Sequence, residues 1–107
     1  AAGGLGRRPG ALVITDERGA LAGLLTDGDV RRAVLRDPDF LDRPIDEVMT
    51  RTPKRARQDE LAADAWHVMN QGNFDELPVV DEAGRYVGLL DVQDLLEAGI
   101  ASERSRE

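Results

Sequence analysis

The stretch Gly23-Leu24-Leu25-Thr26-Asp27-Gly28-Asp29 decides the fold of this chain. Its two leucines end a short apolar run typical of a buried strand, and Thr26 then begins a segment whose apolar residues have helical spacing. Thr26 and Asp29 have the spacing of a capping box, in which a hydroxyl and a carboxylate satisfy free backbone N–H groups at a helix start. Because a helix start also attracts anions, the stretch predicts either a plain cap or a turn that binds phosphate and ribose.

A second copy of this pattern lies 65 residues further along the chain. The turn that begins at Asp16 and ends at Gly19 corresponds to the turn from Asp81 to Gly84. The three residues that start at Gly23 correspond to Gly88-Leu89-Leu90, and Asp29 and Asp94 are likewise equivalent. Because turn, strand and cap residues coincide together, the sequence predicts a duplicated β-β-α unit.

Apolar spacing and the positions of Pro and Gly predict the remaining elements. In the first half they are a loop over 1–10, strands over Ala11–Thr15 and Leu21–Leu25, a helix from Thr26 to Arg36, a linker over 38–47 and a helical turn over Ile45–Met49. The helix has Val30, Ala33 and Val34 on one face. In the second half they are a strand over Thr52–Arg57, a helix, strands over Leu77–Val80 and Tyr86–Leu90, a helix from Asp91 to Ala98, and a frayed tail over Ser102–Glu107. The first of these helices runs from an Asp59 N-cap to Asn70 and has Gly72 at its C-terminus. Its buried face is expected to consist of Leu61, Ala65, Val68 and Met69.

Composition excludes several classes of protein. The chain has no cysteine, which excludes disulfides and thiolate metal sites and is compatible with a reducing cytoplasm. It has no apolar run near the ~20 residues that a membrane span needs. Its net charge of −7 and its four aromatic residues argue against binding nucleic acid, which requires neutralised phosphates or stacking platforms.

Charge is unevenly distributed along the chain. Residues 1–57 carry a net charge of +2, whereas residues 58–107 carry −9. The local basic cluster consists of Arg51, Lys54, Arg55 and Arg57. We expect a solvated strand edge there; the alternative is an electrostatic lip for an anionic small molecule.

Each half of the chain resembles a CBS motif, the β-α-β-β-α unit named after cystathionine β-synthase, two of which form a Bateman module. Residues 23–29 match the nucleotide-binding signature of that family, Val48-Met49-Thr50 followed by Pro53 resembles the start of a second unit, and Leu77-Pro78-Val79-Val80-Asp81 resembles its first hairpin strand. The resemblance covers about residues 11–99. It implies an α+β tandem CBS-domain pair, two pseudo-symmetric units packed sheet to sheet.

The internal shift also indicates what the first unit lacks. Its leading strand and most of a helix would precede Ala1, so we expect the first repeat to be truncated at its N-terminus. The expected organisation is a partial CBS motif 1 with a linker over 1–47, CBS motif 2 over 48–100 and a polar tail over 101–107.

A narrower resemblance is to the C-terminal half of arabinose 5-phosphate isomerases. Residues 26–32, 46–50 and 94–99 carry it. Those cytoplasmic enzymes join a sugar-isomerase domain to a CBS pair and supply Kdo (3-deoxy-manno-octulosonate) for lipopolysaccharide. The resemblance implies a regulatory module without its catalytic domain. It also implies that CMP-Kdo or an adenine nucleotide is the bound ligand, and that the module forms a homodimer through helices. The alternatives are a ligand-free oligomerisation module, an adenine-nucleotide sensor of another enzyme, and a self-contained enzyme.

The resemblance also implies the ligand-binding residues. In chain order they are Thr26, Asp29, Met49, Thr50, Phe74, Pro78, Asp91 and Asp94. Asp29 would accept hydrogen bonds from ribose hydroxyls and Thr26 would lie near the phosphate. Asp91 stands where the second signature would have Thr and would repel a phosphate, so we expect two unequal sites.

Ordinary structural roles compete with these assignments. Met49 and Phe74 are also typical core residues, and Arg31 and Arg32 are expected to pair with acidic neighbours on their helix. His67 is the only histidine and is expected to be exposed. The sequence predicts no metal site and no catalytic residue, because no nucleophile stands with a base.

Overall fold

The computed structural model describes residues 10–97 and Gly99. The strands are β1 (Ala11–Thr15), β2 (Leu21–Thr26), β3 (Thr50–Arg51), β4 (Ala56–Arg57), β5 (Glu76–Val80) and β6 (Tyr86–Asp91). The helices are α1 (Asp27–Arg36), α2 (Ile45–Val48), α3 (Ala62–Gly72) and α4 (Val92–Glu97), with a 3-10 turn over Phe40–Asp42. The strands form two three-stranded sheets, ordered β1-β2-β3 and β4-β5-β6. This mixed architecture confirms the predicted α+β class.

The two hairpins repeat each other in backbone detail. The Asp16 carboxylate accepts hydrogen bonds from the N–H groups two and four residues later, at 2.9 and 3.0 Å, and Asp81 accepts the same pair at 2.9 Å. Gly19 and Gly84 both have φ of 84°, a left-handed conformation that favours glycine. The register of each hairpin shifts once, at positions 14–15 and 79–80. Equivalent sequence therefore forms equivalent turns.

Backbone hydrogen bonds join the two hairpins at their turns. The N–H of Leu21 donates to the Gly84 carbonyl at 3.1 Å, and the N–H of Tyr86 donates to the Gly19 carbonyl at 2.9 Å. These donors and acceptors exchange under the 65-residue shift. The repeats are thus related by an approximate twofold axis that passes between the turns.

The main apolar core belongs to the second repeat. Its buried members are Ala56, Ala65, Met69, Leu77, Val92 and Leu95, with Trp66, Val68 and Leu90 packed against them. Helix α3 supplies Ala65 and Met69, as the apolar spacing predicts. Packing of α3 against β5 and α4 therefore stabilises this half through burial of apolar surface.

The first repeat has the same residues without the same cover. Leu12 in the first repeat is equivalent to Leu77 in the second, and their strand partners, Leu25 and Leu90, are equivalent too. Even so, Leu12 is 57% exposed and Leu77 only 1%. Helix α1 has no buried residue, and Val34 on its apolar face is 43% exposed. Among the described residues, the first repeat has no counterpart of α3 to cover this surface.

The strand predicted over Thr52–Arg57 is wrong in its first four residues and is confirmed only at Ala56–Arg57. The chain instead forms β3 and β4, which lie in different sheets: β3 pairs with β2, and β4 pairs in parallel with β5. Between them Thr52 has φ of 47° and Pro53 is buried. A left-handed residue followed by proline interrupts the strand geometry, and the chain crosses from one sheet to the other at this point.

The start predicted for α3 is also wrong. The helix begins at Ala62 with Leu61 as its N-cap and no side-chain cap. The Glu60 carboxylate accepts the N–H of Arg57 at 2.7 Å, and Asp59 pairs with the Arg57 guanidinium at 2.9 Å. This turn uses the acidic residues before the helix begins, so Leu61 lies outside the buried face and is 71% exposed.

The end of α3 differs from the expected glycine cap. Gly72 is the last helical residue, and Asn73 takes the left-handed position with φ of 56° and ψ of 40°. Gly72 is required for a different reason, because a Cβ there would collide with the ring of Phe74. Residues 1–9 of the loop predicted over 1–10, residue Ala98 and the tail over Ser102–Glu107 lie outside the described residues.

Candidate functional site

The turn between β2 and α1 forms the predicted capping box. The Thr26 hydroxyl accepts the N–H of Asp29 at 3.0 Å, and the Asp29 carboxylate accepts the N–H of Thr26 at 3.1 Å. The N–H of Asp27 donates to the Gly10 carbonyl at 2.8 Å, which fixes the start of the helix against the chain before β1. Three backbone donors of this helix start, the N–H groups of Thr26, Asp27 and Asp29, therefore have acceptors within the chain.

The Asp29 carboxyl is ionised more readily than usual. Partial burial acts to raise its pKa, but hydrogen bonds from Thr26 and from the Arg32 guanidinium outweigh burial and lower the pKa below its ordinary value. Asp29 is therefore a charged acceptor at neutral pH. A charged acceptor forms stronger hydrogen bonds to ligand hydroxyls than a neutral one.

A cavity of about 650 Å³ opens in front of this turn. Its lining combines the start of α1, the crossing between β3 and β4, and the turn from α3 into β5. We call it the first-turn cavity. Its volume lies within the range of sites that hold cofactor-sized ligands, about 300–1,000 Å³.

Four of the eight predicted site residues line the first-turn cavity: Thr26, Asp29, Thr50 and Phe74. Phe74 is half-buried and lies outside the cluster of buried core residues, so its ring forms part of the cavity wall. The cavity thus brings a hydroxyl, a carboxylate and an aromatic ring from three separate segments of the chain together.

Met49 packs against β2, outside the lining of the first-turn cavity. Its side chain lies against Gly23, and a Cβ at Gly23 would collide with it. Met49 is half-buried and does not line the first-turn cavity. The structure shows the packing role that the sequence left open for Met49, and ligand binding by Met49 stays a prediction.

Pro78, Asp91 and Asp94 also lie outside the lining of the first-turn cavity. Pro78 is almost fully buried in β5. The Asp91 carboxylate accepts the N–H of Gln93 at 2.8 Å, and the Asp94 carboxylate accepts the N–H of Asp91 at 3.2 Å. The second turn is therefore capped by two carboxylates, and ligand binding by these three residues stays a prediction.

Positive charge enters the first-turn cavity from Arg31, Arg32 and Lys54. As expected, both arginines meet acidic neighbours: Arg31 lies 3.7 Å from Asp27, and Arg32 lies 2.8 Å from Asp29. Of the predicted basic cluster, only Lys54 lines the cavity.

The other three members of that cluster are bound elsewhere. Arg57 pairs with Asp59, Arg51 donates to the Asp46 carbonyl, and Arg55 donates to the Pro53 carbonyl at 3.2 Å. The positive charge at the cavity therefore comes from α1 and Lys54 and not from the strand edge, and four carboxylates, those of Asp27, Asp29, Asp75 and Glu76, line the cavity as well.

An acidic side chain of the lining lies beside the start of α1: a Cβ at Gly10 would stand 3.1 Å from the Glu76 carboxylate and 3.4 Å from that of Asp27. Glu76 accepts the N–H of Gly10 at 3.3 Å, which links the two repeats. Burial raises the pKa of Glu76, and the nearby carboxylates of Asp91, Asp75 and Asp27 raise it further, against the effect of the Gly10 hydrogen bond. Together with Asp27, Glu76 disfavours a further negative charge on this side of the α1 start.

Backbone strain coincides with the cavity. Among the described residues, the non-glycine positions with positive φ are Thr52 and Asn73, and both line the cavity. A β-branched residue in this region is an outlier that the surrounding structure must impose. Sequence reasoning missed both residues. Their position next to the motif residues Thr50 and Phe74 is the signal that could have found them.

No cluster of metal-ligating side chains occurs within the part of the chain that the structure describes. In the same part, every helix is too short or too polar to cross a lipid bilayer. His67 is exposed on α3, as predicted.

Comparisons with known proteins agree on one family. Residues 45–101, just over half of the chain, match the family model of the CBS domain. Arabinose 5-phosphate isomerase KdsD of Pseudomonas aeruginosa is 46% identical over 91 residues, which are 85% of this chain and 28% of that protein. The chain therefore spans less than a third of this curated relative.

Solved structures show the same fold. The CBS domain pair of protein MJ0100, in complex with 5′-methylthioadenosine and S-adenosyl-L-methionine, matches with a TM-score of 0.72 and 31% identity over 84% of this chain and 72% of that one. The CBS domain protein PAE2072 from Pyrobaculum aerophilum, complexed with AMP, matches with a TM-score of 0.73 and 26% identity over 86% of this chain and 76% of that one. The chain belongs to the CBS domain family, and its fold is that of a CBS domain pair.

Proposed function

We propose that this chain is the regulatory, ligand-sensing module of a sugar-phosphate isomerase and binds a nucleotide or nucleotide sugar in the first-turn cavity. The observation that carries this proposal is the composition of the lining. A helix start, a carboxylate that can accept hydrogen bonds from hydroxyl groups, guanidinium groups and an aromatic ring surround one cavity of about 650 Å³. Those are the groups that phosphate, ribose and base require.

Each part of the ligand has a distinct place in this arrangement. The phosphate lies at the start of α1, near the Thr26 hydroxyl and within reach of Arg32 and Lys54. The ribose hydroxyls donate to Asp29. The base packs against the ring of Phe74, on the side of the cavity formed by α3 and β5.

The relatives support two ligand classes. Adenine compounds occupy the CBS pairs of MJ0100 and PAE2072, which favours AMP or ATP as ligand. The similarity to KdsD favours a sugar-isomerase domain in the same polypeptide. With such a parent, CMP-Kdo is the effector expected to report the output of Kdo and lipopolysaccharide synthesis, and the protein acts in the cytoplasm.

A second candidate is a ligand-free oligomerisation module, and the surface of the first repeat favours it. Large apolar side chains are exposed there: Leu12 57%, Leu35 88% and Leu41 77%. A homodimer that packs α1 helices together would bury part of this surface. The two roles are compatible, since a dimer contact on α1 leaves its first turn open.

A thermal-shift screen with AMP, ATP, CMP and CMP-Kdo tests the sensing role. A ligand at 100 times its dissociation constant that binds only the folded protein stabilises it by about 2.7 kcal/mol. We expect such a shift to disappear in Asp29→Ala and to persist in the matched variant Asp94→Ala, because only Asp29 lines the cavity.

The pattern of responses separates the candidates. A shift with CMP-Kdo alone supports feedback on the Kdo pathway, whereas a shift with AMP or ATP supports an adenine-nucleotide sensor. No shift with any of the four, in a folded protein, would leave the oligomerisation module.

A further inference from the structure

Both carboxylate oxygens of Asp29 are engaged within the chain. Oδ2 accepts the N–H of Thr26 at 3.1 Å, and Oδ1 accepts Nη2 of Arg32 at 2.8 Å. The oxygen that holds the cap cannot leave without opening the helix start. A ligand hydroxyl that binds Asp29 therefore shares an oxygen with the Thr26 N–H or with Arg32, and Oδ1 is the oxygen whose present partner can leave without opening the cap.

Arg32 is held in place weakly. Its side chain is 67% exposed and that of Asp29 is 34% exposed, so solvent screens the pair. The guanidinium lies across Gly28, with Nη1 only 3.3 Å from the position that a Cβ there would take. Arg32 thus rests over a residue without a side chain, at the edge of the cavity that it lines.

The neighbouring arginine lacks this connection. Arg31 lies 3.7 Å from Asp27, and both side chains are about 70% exposed. Neither Asp27 nor Arg31 takes part in the capping hydrogen bonds. Of the two arginines, only Arg32 pairs with Asp29, whose carboxylate is expected to bind the ribose.

We propose that Arg32 determines specificity for phosphorylated ligands by moving from Asp29 to the ligand phosphate, which releases Oδ1 of Asp29 for a ligand hydroxyl. This inference rests on the proposed nucleotide site. A phosphate offers the planar guanidinium two oxygens for a bidentate contact in place of the single oxygen that it leaves. A nucleoside without phosphate leaves Arg32 on Asp29 and competes with it for Oδ1.

Calorimetric titration of the whole chain tests this with two matched ligand pairs, AMP with adenosine and CMP with cytidine. Within each pair only the phosphate differs, so the ratio of the two dissociation constants isolates its contribution. For the wild-type chain we expect the nucleotide to bind at least about tenfold more tightly, the effect of one charge-assisted hydrogen bond. In Arg32→Gln we expect this ratio to fall to within about threefold, with nucleoside affinity unchanged or slightly higher.

Arg36→Gln is the control, because it removes the same charge from the last turn of α1, outside the cavity lining. We expect it to keep the wild-type ratio. Equal weakening of nucleotide and nucleoside by Arg32→Gln would overturn the proposal, as would an unchanged ratio or an equal effect of Arg36→Gln. If the wild-type chain binds none of the four compounds, this inference fails, whereas the nucleotide site itself fails only if the thermal-shift screen with ATP and CMP-Kdo is negative too.

Discussion

Thr26 and Asp29 cap helix α1 reciprocally, each accepting the backbone N–H of the other at 3.0 to 3.1 Å. The two residues expected to bind a nucleotide are therefore also the two that hold the helix start. A substitution at either one changes both stability and binding. The two effects separate only when unfolding is measured without ligand.

Thr26→Ala is expected to destabilise the ligand-free chain by about 1 kcal/mol, because it leaves the Asp29 N–H without its acceptor. Thr26→Ser keeps the hydroxyl and is expected to stay within about 0.5 kcal/mol of wild type. Urea denaturation monitored by circular dichroism measures both. Equal stability of the alanine and serine variants would show that the cap contributes nothing to folding.

Leu77→Ala and Leu12→Ala form a pair matched by the internal repeat. Leu77 is 1% exposed in the core, so its truncation is expected to cost about 2–5 kcal/mol. Leu12 is 57% exposed, and its truncation is expected to change the free energy of unfolding by less than about 0.5 kcal/mol. Denaturant titration of the two variants decides the matter. A cost for Leu12→Ala as large as that for Leu77→Ala would mean that another surface covers Leu12 in solution.

Glu76→Gln is expected to stabilise the chain at pH 7. Glu76 lies directly opposite Asp91 in the β5–β6 register, and removing one of two like charges in such a pair gains about 0.2–1 kcal/mol. The Gln amide oxygen can still accept the Gly10 N–H.

This gain depends on pH with a definite sign. Because the pKa of Glu76 is raised in the folded chain, the folded state binds its proton more tightly than the unfolded state does. At low pH the wild-type chain is therefore about as stable as the variant. As pH rises through the pKa of Glu76 in the folded chain, the wild-type chain loses stability relative to the variant. The gain should vanish when unfolding is repeated below the ordinary pKa of 4.5. An equal gain at both pH values would point to a cause other than charge.

Gly23→Ala is expected to destabilise the chain by about 1–3 kcal/mol, because its Cβ would displace the Met49 side chain. Met49→Ala opens that space, so the double variant should lose less than the sum of the two single variants. A double-mutant cycle measured by urea denaturation gives this coupling energy. Strict additivity would contradict the packing of Met49 on Gly23.

Local patterns predicted the parts of the fold that local chemistry determines. The Asp16 and Asp81 turns, the strands of both hairpins and the Thr26 cap follow from residues close together in the chain. The start of α3 was predicted incorrectly because Asp59 is a good cap in isolation, whereas Glu60 and Arg57 form a turn that moves the helix start to Ala62. Sequence spacing alone does not reveal which of two neighbouring acids the backbone uses.

The candidate site was predicted in part for the same reason. Thr26 and Asp29 belong to one turn, and their geometry follows from their spacing. Thr52 and Asn73 take left-handed conformations that the periodicity of the sequence does not indicate, Thr52 before the buried Pro53 and Asn73 as the C-cap of α3. Lys54 lines the cavity because the chain changes sheets beside it, which no periodicity of the sequence indicates.

The binding claim is tested most directly by an NMR titration of the ¹⁵N-labelled chain with AMP and, separately, with CMP-Kdo. We expect one of them to shift the backbone amide signals of Gly28, Asp29 and Asn73 with a single saturation curve. The signals of Gln93 and Asp94, in the equivalent turn of the second repeat, should move little. Shifts centred on Gln93 and Asp94, or no shifts with either compound at millimolar concentration, would contradict a nucleotide site in the first-turn cavity.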